Sequence, residues 1–137
     1  MTRLIRAVFD TNVLVSSLIR KGKPRELWDQ AVEGRIQLFI SDALVDEFLA
    51  VIAGPHIARY SDRHTALRFA RVLVQIAKAV EPRRLPQVTE DPDDNIVVEA
   101  AVACRARYIV TGDRHLLGLG KFRSARIVRV GEMLTIV

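Results

Sequence analysis

The feature that most restricts the fold of this chain is the regular alternation of short β-like runs with segments of helical periodicity. The β-like runs are 4–9, 36–40, 108–110 and 125–130. Strands that alternate with helices form mostly parallel sheets covered by helices on both faces, because each parallel connection has to cross over the sheet. We therefore predict one three-layer α/β/α domain with a central, mostly parallel sheet over residues 1–137.

The predicted helices are bounded by residues that start or stop helices. Pro24 suits the first turn of a helix that Gly34 ends, and Ser41 or Asp42 caps a helix that Gly54-Pro55 stops. A further helix spans 62–79, and another begins at Asp94 after a proline-containing connection at 81–93. On helix 62–79 the apolar positions are Leu67, Ala70, Leu73, Val74 and Ala77.

Composition limits the class of protein. Half of the 137 residues are apolar and 27% are charged, as is ordinary for a soluble globular protein. The longest uncharged run, 48–58, is interrupted by Gly54-Pro55 and is shorter than the roughly 20 residues of a membrane span. The N-terminus does not resemble a secretory signal, and the single cysteine, Cys104, excludes a disulfide framework. We expect a cytoplasmic protein that does not cross a membrane.

The chain is basic, with 21 Lys and Arg against 16 Asp and Glu, a net charge of +5 and a pI near 10. Such a balance is common in proteins that bind phosphates of nucleic acid, and it also occurs in small proteins without such partners. Charge alone therefore leaves RNA or DNA binding open.

Several carboxylates fall where a parallel sheet binds its ligands, beyond the carboxyl ends of the strands. Asp10 follows run 4–9, and Asp113 follows run 108–110. A third acidic group lies at 90–94, and the helix after run 36–40 carries Asp46 and Glu47. Each has a structural alternative: a helix cap, a solvated turn or a surface charge. Helical periodicity barely separates Asp46 from Glu47 as the residue facing inward.

Carboxylates gathered at one place repel one another unless cations hold them together, and hard oxygen ligands suit Mg²⁺ or Mn²⁺. The three histidines, His56, His64 and His115, lack the spacing of metal ligands, and no serine has the flanking residues of a nucleophile elbow. The sequence therefore favours chemistry based on one or two divalent cations.

Four motifs together resemble the PIN-domain family, and more narrowly its VapC-type ribonucleases, the toxins of toxin–antitoxin pairs. They are VFDTNVL at 8–14, LVDEF at 44–48, DPDDNIVVEAA at 91–101 and VTGDRHLL at 110–117. Each motif is weak alone, but their order and spacing are specific. The resemblance extends from residue 4 to about 134.

The resemblance implies a set of site residues. The four acids of the family, as catalytic residues and metal ligands, match Asp10, Glu47, Asp94 and Asp113. It thereby selects Glu47 over Asp46, whereas Asp93 and Asp94 remain alternative direct ligands. The expected supporting residues are Asn12, Thr111, Asp91 and Asp93.

The activity that the resemblance implies is hydrolysis of RNA phosphodiesters by an Mg²⁺- or Mn²⁺-dependent endoribonuclease. It also implies an antitoxin protein as partner and a homodimer. Since the site is acidic, basic residues must bring RNA to it. The expected RNA-binding residues are Arg20, Lys21, Lys23 and Arg25 in one loop, for which a solvated turn is the alternative, and Arg114 beside the site.

Two rival functions can be distinguished from this one. An aspartyl phosphotransfer α/β enzyme would also place an Asp after its first strand, but Asp10-Thr11-Asn12 lacks the second Asp of haloacid-dehalogenase-like phosphatases. Nor does a Lys follow a late strand, as it does in receiver domains. A PIN-like module that binds RNA or a protein without cutting is the other rival, and the presence of all four acids argues against it.

Overall fold

Strands and helices alternate along the chain in a computed structural model, which describes residues 4–86 and 91–137, apart from the side chain of Asp93. The strands are β1 (Ile5–Phe9), β2 (Ile36–Ile40), β3 (Lys78–Ala79), β4 (Tyr108–Val110), β5 (Lys121–Phe122) and β6 (Ala125–Val128). The helices are α1 (Thr11–Ile19), α2 (Lys23–Val32), α3 (Asp42–Ile52), α4 (Pro55–Ala58), α5 (Arg63–Ile76), α6 (Pro92–Cys104), α7 (Arg114–Leu119) and α8 (Val130–Ile136). Among these helices, none combines the length and apolar character needed to cross a membrane.

The strands form one sheet in the order β3-β2-β1-β4-β6-β5. All neighbouring strands run parallel except β5, which pairs antiparallel with β6. The predicted α/β fold with a central, mostly parallel sheet is therefore confirmed. Because β1 lies between β2 and β4, with Phe9 paired to Val110, the residues after these two strands meet at the middle of one sheet edge.

The core is made by apolar residues of the central strands and of the helices that cover them. Val8 on β1 and Ile109 on β4 are fully buried, as are Leu44 and Phe48 on α3 and Val97 on α6. The strands read as near-continuous apolar runs because both faces of a parallel sheet are covered. This packing fixes the strand ends that carry the acidic residues.

Several predicted boundaries are wrong. The helix expected from Asp94 begins at Pro92, since proline is well tolerated in the first helical turn. The helix expected over 62–79 ends at Ile76, and the following residues pair with β2 as β3. The last strand ends at Val128 rather than at residue 130, because Val130 is already the first residue of α8.

Two apolar residues of α5 do not contribute to the core. Leu67 is 48% exposed and Val74 is 58% exposed, whereas Ala66, Ala70 and Leu73 are buried. The buried face of α5 is thus narrower than its apolar sequence pattern indicates.

Candidate functional site

The acidic residues that follow β1 and β4 line a pocket of about 380 Å³ at the carboxyl edge of the sheet. Asp10 and Asp113 reach it from the strand ends, Glu47 from α3, and Asp94 from the first turn of α6. The four residues that the sequence predicts as ligands are therefore brought together by four separate elements. Asp91 lines the same pocket.

Asp10 is held in a fixed orientation by three hydrogen bonds. Its Oδ1 accepts from the backbone N–H of Thr11 at 2.8 Å, which caps α1. Its Oδ2 accepts from the Thr111 hydroxyl at 2.7 Å and from Asn12 Nδ2 at 3.2 Å. Since Asp10 is only 7% exposed, these donors replace the water that a buried carboxylate loses. Asn12 and Thr111, the predicted supporting residues, both contact this carboxylate.

Thr111 links the two strand-end acids. Its buried hydroxyl donates to Asp10 and accepts from the backbone N–H of Asp113 at 3.0 Å. The Asp113 carboxylate in turn caps α7, because its Oδ1 accepts from the N–H of His115 at 2.7 Å. Gly112 N–H donates to Asn12 Oδ1 at 3.4 Å. These bonds fix the spacing between the two carboxylates before any ligand binds.

Three carboxylates are close enough to share one cation. One oxygen from each of Asp91, Asp94 and Asp113 lies within 4.8 Å of the other two. Asp94 is 3% exposed, so its charge is withdrawn from water. Three like charges at this spacing repel unless a cation offsets them, and an all-oxygen donor set is the one that Mg²⁺ and Mn²⁺ prefer. The donor set therefore fits a divalent cation.

One residue of the pocket lining carries a buried hydroxyl that is not hydrogen-bonded to the described part of the chain. Thr11 lines the pocket and is 4% exposed, and its Oγ1 has no hydrogen-bond partner among residues 4–86 and 91–137. A buried polar group without a partner is costly, by about 1–3 kcal/mol. The Thr11 hydroxyl is therefore an energetic cost of the packing beside the site.

Two alternatives that the sequence leaves open have different outcomes. Asp46 is exposed, whereas Glu47 is partly buried and lines the pocket. Asp94 lines the pocket too, but the side chain of Asp93 lies outside the described part of the chain. The choice between Asp93 and Asp94 as the direct ligand therefore stays a prediction.

Asp91 has a more central position than the sequence pattern assigns to it. The resemblance implies a supporting acid here, yet its carboxylate belongs to the close group with Asp94 and Asp113. The sequence contains a signal for the proximity of Asp91 to Asp94. Asp91 precedes Pro92, the first residue of α6, and residues three apart at the start of a helix lie on the same side of it. The backbone bond from Asp94 N–H to Asp91 O at 3.1 Å closes that turn.

The predicted basic residues are placed differently from one another. Arg20, Lys21 and Lys23 are exposed at the connection between α1 and α2, and Arg114 is exposed at the start of α7. Arg25 is partly buried, and its guanidinium donates to two carbonyls at the end of α1, Ser17 O and Leu18 O, each at 2.7 Å. Arg25 therefore caps a helix C-terminus, and a role in RNA binding stays a prediction for all five.

The chain matches known proteins in sequence profile and in fold. The profile described as the PIN domain matches residues 6–115. The fold is similar to a chain of VapBC2 from Rickettsia felis, which was crystallised with a DNA fragment from its promoter. The TM-score is 0.62, and the sequence identity is 9% over 91% of this chain and 98% of that one. The fold is also similar to PAE2754 from Pyrobaculum aerophilum, with a TM-score of 0.67 and 18% identity over 96% and 88% of the two chains. No curated protein sequence matches the chain.

Proposed function

Because the chain belongs to the PIN-domain family, we propose that it is a metal-dependent endoribonuclease that hydrolyses RNA phosphodiesters. The family predicted from the four sequence motifs is confirmed. The observation that carries the proposal is the acidic pocket, in which Asp91, Asp94 and Asp113 place carboxylate oxygens within 4.8 Å of one another. Asp10 and Glu47 line the same pocket.

The residues that would hold Mg²⁺ or Mn²⁺ are Asp10, Glu47, Asp94 and Asp113, with Asp91 beside them. A divalent cation supplies Lewis-acid chemistry in such a site, because it lowers the pKa of an attacking water and offsets charge on the phosphoryl oxygens. The chain itself contributes preorganisation: the hydroxyl of Thr111 holds the Asp10 carboxylate and the Asp113 backbone in place. Fixed carboxylates do not have to reorganise during the reaction.

The biological setting that we propose is a toxin–antitoxin pair in the cytoplasm, with this chain as the toxin. Its support is the fold shared with VapBC2 from Rickettsia felis together with the four sequence motifs. An antitoxin protein would then be the partner, and the chain would act as a homodimer. Co-expression with the product of an adjacent reading frame, followed by purification of a complex, tests the partnership.

The decisive experiment is cleavage of RNA by the purified protein with Mg²⁺ or Mn²⁺ and with EDTA. We expect cutting only with the metal, and products with 5′-phosphate and 3′-hydroxyl ends, since hydrolysis by water leaves the 2′-hydroxyl unused. Undiminished cutting in EDTA, or 2′,3′-cyclic phosphate ends, would contradict the proposal.

Neighbouring residues on α3 offer a matched pair of variants for this assay. Glu47→Gln alters a partly buried side chain in the pocket, whereas Asp46→Asn makes the same charge change on an exposed side chain one residue earlier. We expect Glu47→Gln to lose at least a hundredfold in cleavage rate and Asp46→Asn to remain within about twofold. Equal effects of the two changes would show that general surface charge, not the pocket, controls the rate.

A further inference from the structure

A second cleft, of about 400 Å³, adjoins the acidic pocket. Asn12 and Ser16 line both, so the two depressions meet along this side of α1. The Asn12 side chain lies at the boundary, since its Nδ2 donates to Asp10 and its Oδ1 accepts from Gly112 N–H. A chain lying across the acidic pocket can therefore continue into the second cleft. Other residues that line the second cleft are Pro24, Arg129, Val130 and Gly131.

One cation, Arg129, lines this cleft, and a second, Lys23, lies beside Gly131, which also lines it. Arg129, between β6 and α8, lines it and is exposed. Lys23 begins α2, and its Nζ lies 3.7 Å from the position a Cβ would take on Gly131. Neither cation has an ion pair or a side-chain hydrogen bond within 4–86 and 91–137. Both charges are therefore available to a ligand.

The backbone that carries Lys23 is tied to α1. The Ser17 hydroxyl donates to Pro24 O at 3.0 Å, and Arg25 Nε donates to Ser17 O at 2.7 Å. Gly22, with φ of 122°, makes the turn that leads into Lys23. A cation on a fixed backbone loses less entropy when it binds a phosphate.

The backbone of Arg129 is fixed from the sheet side. Its predecessor Val128 accepts from Thr111 N–H at 3.0 Å, and Arg129 O accepts from Met133 N–H at 3.0 Å. Thr111 is the residue whose hydroxyl holds Asp10. The cleft and the acidic pocket are thus built on the same strand ends.

The charges of the two depressions are opposite, and this suggests what the cleft binds. The acidic pocket repels a polyanion, so RNA has to be held by cations close to the scissile phosphate. Resting on the proposed ribonuclease activity, we propose that this cleft binds a phosphate of single-stranded RNA next to the scissile one, through Arg129 and Lys23. Arg129 offers the planar, multi-donor group that recognises phosphate oxygens, and Lys23 adds a point charge.

The test compares two double variants that each remove two positive charges. Lys23→Ala/Arg129→Ala alters the cleft, and Arg35→Ala/Arg107→Ala alters two exposed residues that directly precede β2 and β4, at the opposite edge of the sheet. Cleavage of single-stranded RNA with Mn²⁺ is followed at several salt concentrations. For the cleft variant we expect KM to rise at least tenfold with kcat within about threefold. The slope of log kcat/KM against log salt should become shallower by about 0.7, since the cleft is proposed to bind one phosphate and each phosphate neutralised on a single strand contributes about 0.7.

A second measurement locates the phosphate on the RNA. Single phosphates of an oligonucleotide are replaced by uncharged methylphosphonates, each beside a 2′-deoxy sugar, on either side of the mapped cut. With the parent protein, one replacement next to the cut should raise KM about as much as the cleft variant does. With the cleft variant, the same replacement should have little further effect, because the two cations that bind this phosphate are already absent.

The outcomes separate this proposal from the function on which it rests. If the parent cleaves RNA but the cleft variant behaves like the parent, or like the opposite-edge variant, the cleft proposal is overturned and the nuclease stands. If the methylphosphonate effects persist in the cleft variant, Arg129 and Lys23 do not bind that phosphate. If the parent neither binds nor cleaves RNA, the proposed function fails, and the cleft proposal falls with it.

Discussion

The substitution Asp113→Asn removes one negative charge from the acidic pocket at nearly constant shape. Asp113 also caps α7, since its Oδ1 accepts from His115 N–H, and Asn is about as good a helix cap as Asp. The change in charge relieves repulsion with Asp91 and Asp94, whose oxygens lie within 4.8 Å. We therefore expect the melting temperature in EDTA to stay within about 3 °C of the parent, which corresponds to less than about 1 kcal/mol.

The response to metal should differ strongly between parent and variant. Free Mn²⁺ at about a hundred times its Kd stabilises a protein by about 2.7 kcal/mol. For this chain length the unfolding entropy is about 0.3 kcal/mol per degree, so the parent should gain about 9 °C. A variant that binds Mn²⁺ about a hundredfold more weakly retains only about 0.4 kcal/mol, or about 1 °C. Cleavage should fall in parallel.

Asp62→Asn is the matched control, because Asp62 caps α5 in the same way and is exposed. The backbone N–H and the hydroxyl of Thr65 hold the pKa of the Asp62 carboxyl below its usual value. At neutral pH this variant should melt somewhat lower than the parent but gain the same 9 °C or so with Mn²⁺. Thermal melts followed by circular dichroism with EDTA or Mn²⁺ measure all three proteins. An equal metal response for Asp113→Asn would refute Asp113 as a ligand, and no response of the parent would refute the metal site.

Three further experiments test a contact in the site, a helix cap and the burial of the cysteine. Thr111→Val removes a buried hydroxyl that donates to Asp10. We expect the free energy of unfolding, measured in urea, to fall by about 1–3 kcal/mol and cleavage to be reduced. Thr135→Val, which removes an exposed hydroxyl, should change neither quantity by much. Arg25→Lys keeps the charge but cannot reproduce both hydrogen bonds to the end of α1. If the free energy of unfolding falls by about 1 kcal/mol while the salt dependence of RNA binding is unchanged, Arg25 is a structural residue. Burial raises the pKa of the Cys104 thiol, so at pH 8 the native protein should react with iodoacetamide more than tenfold more slowly than the urea-unfolded protein; equal rates would show that the thiol is accessible.

The sequence predicts the sheet edge that carries the site because the relevant information is local. Each central strand is an apolar run that ends at a turn, and parallel pairing then places the strand ends side by side. The register of Phe9 with Val110 is all that is needed to bring Asp10 near Asp113. The strand ends are therefore predictable from the local sequence, whereas the adjacency of β1 and β4, which are separated by two other strands along the chain, is given by the structure.

The position of Glu47 could not be derived from periodicity, because the apolar stripe of α3 is wider than the face that packs. Leu49 and Val51 are each 39% exposed, while Leu44 and Phe48 are fully buried. When exposed apolar residues are counted in the stripe, the centre of the stripe no longer coincides with the helix face that packs against the core. Which of two adjacent acids faces the pocket is set by the contacts of α3 with other elements, and the family resemblance carries this information where the pattern does not.

The shortest elements could not be predicted either, since their stability depends on neighbours rather than on their own residues. β3 and β5 have two residues each, and α4 has four. β3 exists because it extends the sheet beside β2, and Val80 N–H continues this pairing by donating to Ile40 O at 3.0 Å. A two-residue strand has no periodicity that a sequence pattern can detect.

The charge distribution links the two binding events of the proposed nuclease. The five acids of the pocket are almost a third of the 16 acidic residues, so elsewhere in the chain cations outnumber acids about two to one. Without a cation the pocket opposes RNA at the point where its phosphate must lie, and a divalent ion reverses that local field. Metal and RNA binding are then coupled, and by linkage each raises the affinity for the other by the same factor. In the proposed nuclease, the net basic charge would thus attract RNA at long range, whereas the metal would determine whether the scissile phosphate can enter the pocket.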